Sequence, residues 1–221
     1  MLFFGFAGFP EANFGIILII KWSKKGVKVK NKTVVLGFGS LIWDKGSLGP
    51  YITDFFQGGP VLPLEFSRAS GKRKGALTLV VDDINGAWCP TRFAISSRLT
   101  PEVAAIDLAD REVTSTDCIG KVERYEGQDI RADKESCSVV EWVILKWLEQ
   151  RGFKAAVWTA LSPNYRGAWT VKKAINYLKQ LPGEGQRAAA DYIRNAPPEV
   201  VTPLRREVEK TLWYKGLKEI R

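Results

Sequence analysis

A short β-branched run that leads directly into two glycines is the feature that most constrains the fold of this chain. Thr33-Val34-Val35-Leu36 has the length and composition of a buried strand. Gly37-Phe38-Gly39-Ser40 follows it without a spacer. Glycines permit unusual backbone angles and let main-chain N–H groups point at an anion or a polarised carbonyl. The pattern therefore predicts a strand followed by a ligand-binding loop, and a purely structural turn is the alternative.

This loop does not fit two common phosphate-binding patterns. A dinucleotide fingerprint requires a third glycine at the position where this chain has Ile42. A Walker A loop ends in Gly-Lys followed by Ser or Thr, and no such ending follows Ser40. We therefore interpret this loop neither as a dinucleotide-binding loop nor as a Walker A loop.

Further strands are predicted by apolar, β-branched runs that are bounded by turn residues. These runs are 61–67, 76–81, 91–95, 139–148 and 155–161. Together with the helices described next, they predict an α+β fold with a mixed, barrel-like sheet and surrounding helices.

Helix signals are clearest after the fourth strand and in the last third of the chain. Thr100-Pro101-Glu102 has the order of an N-cap, a first-turn proline and an early acid, and it predicts a helix to about Glu112. Apolar spacings of three or four predict helices over 171–181 and 188–195. A last helix is predicted to begin at Thr202-Pro203, with one apolar face formed by Leu204, Val208 and Leu212.

The chain is expected to consist of one domain with two appendages. Residues 1–30 form an N-terminal extension that we interpret as poorly ordered, because the apolar run Phe14–Ile20 is shorter than the roughly 20 residues that span a bilayer. A signal-anchor with lysines on its cytoplasmic side is the alternative. The domain covers 31–164, and a helical segment, 165–221, packs on it. These C-terminal helices either close a pocket or form the subunit interface of a homo-oligomer.

Composition limits the chemistry that this chain can perform. It contains no histidine, which excludes Ser-His-Asp and Cys-His catalysis and histidine-ligated metals. General acid–base catalysis then falls to Asp, Glu, Lys, Tyr or Cys. Cys89, Cys118 and Cys137 lie far apart without a Cys-x-x-Cys spacing. This pattern indicates buried thiols in a reducing compartment, and we expect a cytoplasmic protein.

The formal net charge of +9 is unevenly distributed along the chain. Residues 1–32 contain six lysines and one glutamate, so the rest of the chain carries only +4. Lys72-Arg73-Lys74 is interpreted as a solvated hairpin tip rather than a phosphate site. We therefore expect no nucleic-acid partner, and electrostatic binding through the N-terminus and this tip is the alternative.

The run from Leu36 to Trp43 resembles the opening motif of the γ-glutamylcyclotransferases, in particular of their ChaC-like branch. That motif is a strand followed by Gly-Tyr-Gly-Ser-Leu-Ile-Trp, and Phe38 stands where the family usually has tyrosine. Six residues match it, namely Gly37, Gly39, Ser40, Leu41, Ile42 and Trp43. The resemblance continues weakly through Leu64–Arg68, Arg73 and Gly75, and fades after about residue 150. It implies that residues 37–41 bind the substrate.

The resemblance also implies a reaction. In this family the α-amino group of a γ-glutamyl unit attacks its own side-chain carbonyl, which gives 5-oxoproline and a free amine. This chemistry needs a base and donors to the developing oxyanion, and it needs no metal or cofactor. The implied partner is a small γ-glutamyl substrate, with no membrane partner. A guanidinium group pairs well with a carboxylate, so Arg68 is a candidate to bind a substrate carboxylate, and an ordinary surface arginine is the alternative.

The candidate base is a glutamate at the end of the predicted helix. The family has leucine, three residues and then glutamate at a helix end, and Leu108 to Glu112 fits this spacing. A solvated ion pair between Glu112 and Arg111 is the alternative interpretation. Glu126, in Tyr125-Glu126-Gly127, is the reserve candidate because it resembles the glutamate motif of plain γ-glutamylcyclotransferases.

Overall fold

The structure is a computed structural model that describes residues 31–125, 137–165 and 167–217. The predictions for the N-terminal extension 1–30 and for Glu126 lie outside these residues. Across the three described ranges, no helix has the length and apolar character needed to cross a bilayer.

A six-stranded mixed sheet forms the centre of the molecule. Its strands are β1 (Thr33–Gly37), β2 (Phe56–Ala69), β3 (Leu77–Val81), β4 (Ala87–Ile95), β5 (Ile119–Glu123) and β6 (Ala155–Thr159). Their order in space is β3-β2-β4-β1-β6-β5. β1 and β6 are parallel, and all other neighbouring strands are antiparallel.

The α+β prediction is confirmed, whereas the barrel-like closure of the sheet is wrong. A barrel requires its first and last strands to pair, but β3 and β5 lie at opposite edges of this open sheet. β5 was not predicted from the sequence.

Six helices accompany the sheet within the described residues. They are α1 (Pro101–Glu112), α2 (Val139–Arg151), α3 (Val171–Gln180), α4 (Gly183–Asn195), α5 (Pro203–Val208) and α6 (Leu212–Gly216). Short 3-10 turns occur at Ser40–Ile42, Gly46–Tyr51, Gly71–Arg73 and Thr116–Cys118.

Helix α1 has the ends that its sequence predicts. The Thr100 hydroxyl accepts a hydrogen bond from the Val103 N–H at 3.4 Å, and Pro101 opens the first turn. After Glu112, Val113 adopts a left-handed conformation with φ of 54°. The N–H groups of Val113 and Thr114 then bond to carbonyls of the last turn, as in a Schellman motif.

The strand predicted at 139–148 is wrong, because these residues form α2. The Ser138 hydroxyl and the Glu141 carboxylate make a reciprocal capping box at its N-terminus. The α2 residues that are buried follow a helical spacing: Val140, Ile144, Leu145, Trp147 and Leu148. A short apolar run fits a strand or a buried helix equally well, and the cap decides between them.

The last predicted helix is divided into α5 and α6. The Thr211 hydroxyl accepts the Tyr214 N–H and starts a new helix three residues after Val208. Leu212 is therefore 86% exposed, while Leu204 and Val208 are fully buried. The predicted apolar face is therefore correct for Leu204 and Val208 and wrong for Leu212.

Helices cover both faces of the sheet. In β1, Val34 and Leu36 contact the larger core, whereas Val35 contacts a smaller core with α1 residues such as Leu108. The larger core joins the sheet to α2 and to the C-terminal helices. Burial on both faces explains why β1 is a continuous apolar run rather than an alternating one.

The cysteines differ in their exposure. Cys89 is buried, as predicted, whereas Cys118 and Cys137 are partly exposed. The prediction of buried thiols is therefore correct for one cysteine and wrong for two. Cys118 is the last residue of the 3-10 turn that precedes β5, and Cys137 lies just before α2.

Candidate functional site

A cleft of about 530 Å³ opens at the carboxyl ends of β1 and β6. Because these strands are parallel, Gly37 and Thr159 lie at the same edge of the sheet. The end of α1 and the connection between β2 and β3 also border the cleft. Ligands of α/β sheets commonly bind outside the carboxyl ends of strands, and the volume is typical of a small-molecule site.

The loop that was predicted to bind substrate lines this cleft. Its lining residues are Gly37, Phe38, Gly39, Ser40 and Leu41. A Cβ on Gly39 would lie 2.5 Å from the Tyr192 hydroxyl oxygen, and a Cβ on Gly37 would lie 2.5 Å from the Phe55 ring. Close packing therefore requires both glycines, whatever the loop binds. The Phe38 side chain is buried in the larger core.

Glu112 lines the same cleft as the loop. Its Oε1 accepts a hydrogen bond from Arg111 Nη1 at 2.6 Å and one from the Thr159 hydroxyl at 3.4 Å. The Glu112 side chain is only 17% exposed and the Arg111 side chain only 8%. This pair is therefore not the solvated surface ion pair of the alternative interpretation.

Arg111 connects the end of α1 to the glycine loop, a role that the sequence did not indicate. Its Nη2 donates to the Ser40 hydroxyl at 3.4 Å and to the main-chain carbonyl of Asp44. The Asp44 carboxylate lies 3.9 Å from the same nitrogen. The guanidinium thus fixes the orientation of Glu112 and holds it at a set position relative to Ser40.

The end of β2 and the connection from β2 to β3 add basic residues to the cleft. Arg68 Nη1 donates to the Ser162 carbonyl at 2.7 Å, and Lys72 Nζ donates to the Glu112 carbonyl at 3.0 Å. The Arg73 guanidinium lies over the Tyr192 ring, 4.9 Å from its centroid. Residues 72–74 form the connection of a hairpin between β2 and β3, and Lys72 and Lys74 are exposed, as predicted. Lys72 and Arg73 also line the cleft.

Tyr192 completes the cleft from α4, and the sequence analysis missed it. Its side chain is 4% exposed. Burial raises the pKa of the Tyr192 phenol, while the Leu79 and Ser40 backbone N–H groups and the Arg73 charge act in the opposite direction. The amphipathic pattern of α4 predicts a helix but does not indicate that one of its tyrosines faces the glycine loop.

The cleft thus combines two carboxylates, those of Asp44 and Glu112, with an N–H-bearing loop, a phenol and several cations. The described ranges contain no cluster of three or more Asp, Glu or Cys residues that could hold a metal ion. All predicted site residues within these ranges lie together, since Arg68, residues 37–41 and Glu112 line one cleft. Comparison of the sequence with family models and with curated proteins finds no match. The functional interpretation therefore depends on the geometry of this cleft and on the resemblance of its motifs.

Proposed function

We propose that this protein is a γ-glutamylcyclotransferase-like enzyme that cleaves a γ-glutamyl amide by intramolecular cyclisation. The products are 5-oxoproline and a free amine. One observation carries the proposal: Glu112 and residues 37–41, which are far apart in sequence, line the same cleft. A base and an oxyanion-binding loop on two sides of one small cleft are the arrangement that this reaction needs.

In the proposed reaction, Glu112 accepts a proton from the α-ammonium group of the substrate. The freed nitrogen lone pair attacks the γ-carbonyl carbon, and the carbonyl electron pair moves to its oxygen. Backbone N–H groups of the loop at residues 37–41 stabilise this oxyanion. Its collapse breaks the bond to the leaving nitrogen. The two protons that the ammonium group loses end on the released amine, and Glu112 returns to its carboxylate form.

The charges around the cleft match the head group of such a substrate. Asp44 and Glu112 supply two carboxylates to the cleft, and a carboxylate can pair with an α-ammonium group. Arg68 and Arg73 line the same cleft, and a guanidinium group can pair with an α-carboxylate. The presence of both kinds of charge supports a zwitterionic ligand more than a neutral one.

The alternative of nucleic-acid binding receives less support from this geometry. Electrostatic nucleic-acid binding uses cations that are spread over an open surface. Lys72 and Arg73 instead face a cleft of small-molecule size, and Lys72 donates to the end of α1.

The test is an assay for 5-oxoproline after incubation with glutathione and a panel of γ-glutamyl amino acids and amines. Glu112→Gln keeps an acceptor oxygen for Arg111 but cannot carry the proton, so its rate should fall by about 10²-fold or more. Glu102→Gln is the matched control, because Glu102 lies on the same helix, is 56% exposed and pairs with Lys121 away from the cleft. Absence of product from every substrate, or full activity of Glu112→Gln, would refute the assignment.

A further inference from the structure

Tyr192 reaches the cleft from a part of the chain that lies beyond the motif resemblance. It belongs to α4, in the C-terminal helical segment. Its ring is held by edge contacts with Trp43, at 5.3 Å between centroids, and with Phe66, at 6.1 Å. The Arg73 guanidinium covers the ring at 4.9 Å. These three contacts restrict the orientation of the ring.

The Tyr192 hydroxyl lies directly against the glycine loop. Its oxygen is 2.5 Å from the point that a Cβ on Gly39 would occupy. Backbone N–H groups of Leu79 and Ser40 act against the rise in the pKa of this phenol, which agrees with a hydroxyl group beside the loop. Because Tyr192 lines the cleft together with residues 39 and 40, its hydroxyl can face a ligand that binds at this loop.

The hydroxyl group is also available as a donor. A phenol is protonated at neutral pH, and burial, which raises the pKa of Tyr192, keeps it so. The positive charge of Arg73 over the ring withdraws electron density from the oxygen and strengthens its hydrogen bond to an anionic acceptor.

We infer that Tyr192 is a catalytic residue, whose hydroxyl donates a hydrogen bond to the γ-carbonyl oxygen of the substrate as that oxygen becomes an oxyanion. This inference rests on the proposed function. It gives the C-terminal segment a role, because α4 then closes the pocket and supplies a donor beside the N–H groups of the loop. A donor aimed at developing charge lowers the barrier more than it strengthens substrate binding.

The test compares Tyr192→Phe with wild type in the 5-oxoproline assay, with kcat and KM measured separately. Loss of one oxyanion donor should lower kcat by about 10²-fold and change KM by less than about threefold. Tyr177→Phe is the matched control: it removes a hydroxyl from the neighbouring helix α3, where it donates to the Gly75 carbonyl at 2.8 Å. The control should keep kcat within about twofold of wild type.

The outcomes separate this inference from the proposed function. If wild type forms 5-oxoproline and Tyr192→Phe has the same kcat, Tyr192 is not a donor and the proposed function stands. A rise in KM with kcat unchanged also overturns the inference, because it indicates binding in the ground state only. If wild type forms no 5-oxoproline from any substrate, both fail. Thermal unfolding of each variant is followed by circular dichroism. The activity assay is then run at a temperature at which all variants are folded.

Discussion

Glu65 is a buried carboxyl group, and its replacement by glutamine tests how the C-terminal helices are joined to the sheet. The residue lies in β2 and is fully buried. Its Oε1 accepts the Phe66 N–H at 2.7 Å, and its Oε2 accepts the Leu204 N–H, in the first turn of α5, at 3.2 Å. Burial raises the pKa of Glu65 to about 7, although hydrogen bonds from Thr202 and from these backbone groups oppose the rise.

A raised pKa in the folded state makes stability depend on pH in a defined direction. At pH values between 4.5, the ordinary pKa, and about 7, the folded-state pKa, the folded protein keeps a proton on Glu65 that the unfolded chain releases. The free energy of unfolding should therefore fall as pH rises through this range. Each unit of difference between the folded-state and unfolded-state pKa is worth about 1.4 kcal/mol, so the full contribution of Glu65 to the free energy of unfolding is about 3 kcal/mol. Below 4.5 and above about 7 this contribution should no longer vary.

Urea unfolding of wild type and Glu65→Gln between pH 4 and about 8 measures this contribution directly. The free energy of unfolding of Glu65→Gln is subtracted from that of wild type at each pH, so that the contributions of the other titratable groups cancel. Glutamine loses one of the two acceptors, which should cost about 1–3 kcal/mol at low pH. The advantage of wild type should then shrink by about 3 kcal/mol as pH rises. A difference that stays constant with pH would refute the reasoning that burial dominates the pKa of Glu65.

Two further predictions concern Gly39 and Val113, which both line the cleft. Gly39→Ala should destabilise wild type by about 1–3 kcal/mol, because its Cβ would meet the Tyr192 hydroxyl. The same change should cost little in Tyr192→Phe, where the nearest ring atom, Cζ, would lie 3.6 Å away. Urea unfolding of wild type, the two single variants and the double variant measures the coupling between these positions. If the two changes in the free energy of unfolding simply add, this contact is excluded. Val113→Gly should raise the free energy of unfolding by about 0.5–1 kcal/mol, since it removes left-handed strain. Val113 is 73% exposed, so little packing is lost. Val113→Ala keeps the strain, and an equal gain in that variant by thermal unfolding would contradict the explanation.

The elements that the sequence predicts well are those with local signals. β1 is a β-branched run next to glycines, and α1 has a threonine cap and a first-turn proline, so neighbouring residues alone determine both. The strand predicted at 139–148 shows the limit of apolar pattern, because burial on one side of a helix can resemble a strand over a short run. The reciprocal cap of Ser138 and Glu141 was the signal that could have corrected it.

The residues of the cleft also fall into two groups: those that the local sequence indicates and those that only tertiary packing brings to the cleft. Its first half consists of the glycine loop and Glu112, each of which ends an element that the local sequence defines. Its second half consists of Arg73 and Tyr192, which come from a hairpin connection and from α4. No spacing in the sequence relates these two residues to each other or to the loop.

Packing of the C-terminal helices on the sheet is what brings this second half into position. Leu178 of α3, Ile193 of α4 and Leu204 of α5 are fully buried in the same core as β2. Ile193 is adjacent to Tyr192, so the burial of one side chain sets the direction of the other. The Leu204 N–H is also bound by Glu65 of β2. The position of the Tyr192 hydroxyl is thus a consequence of core packing. A sequence motif can therefore indicate Glu112 and the loop of this cleft, but only the tertiary structure brings Tyr192 to them.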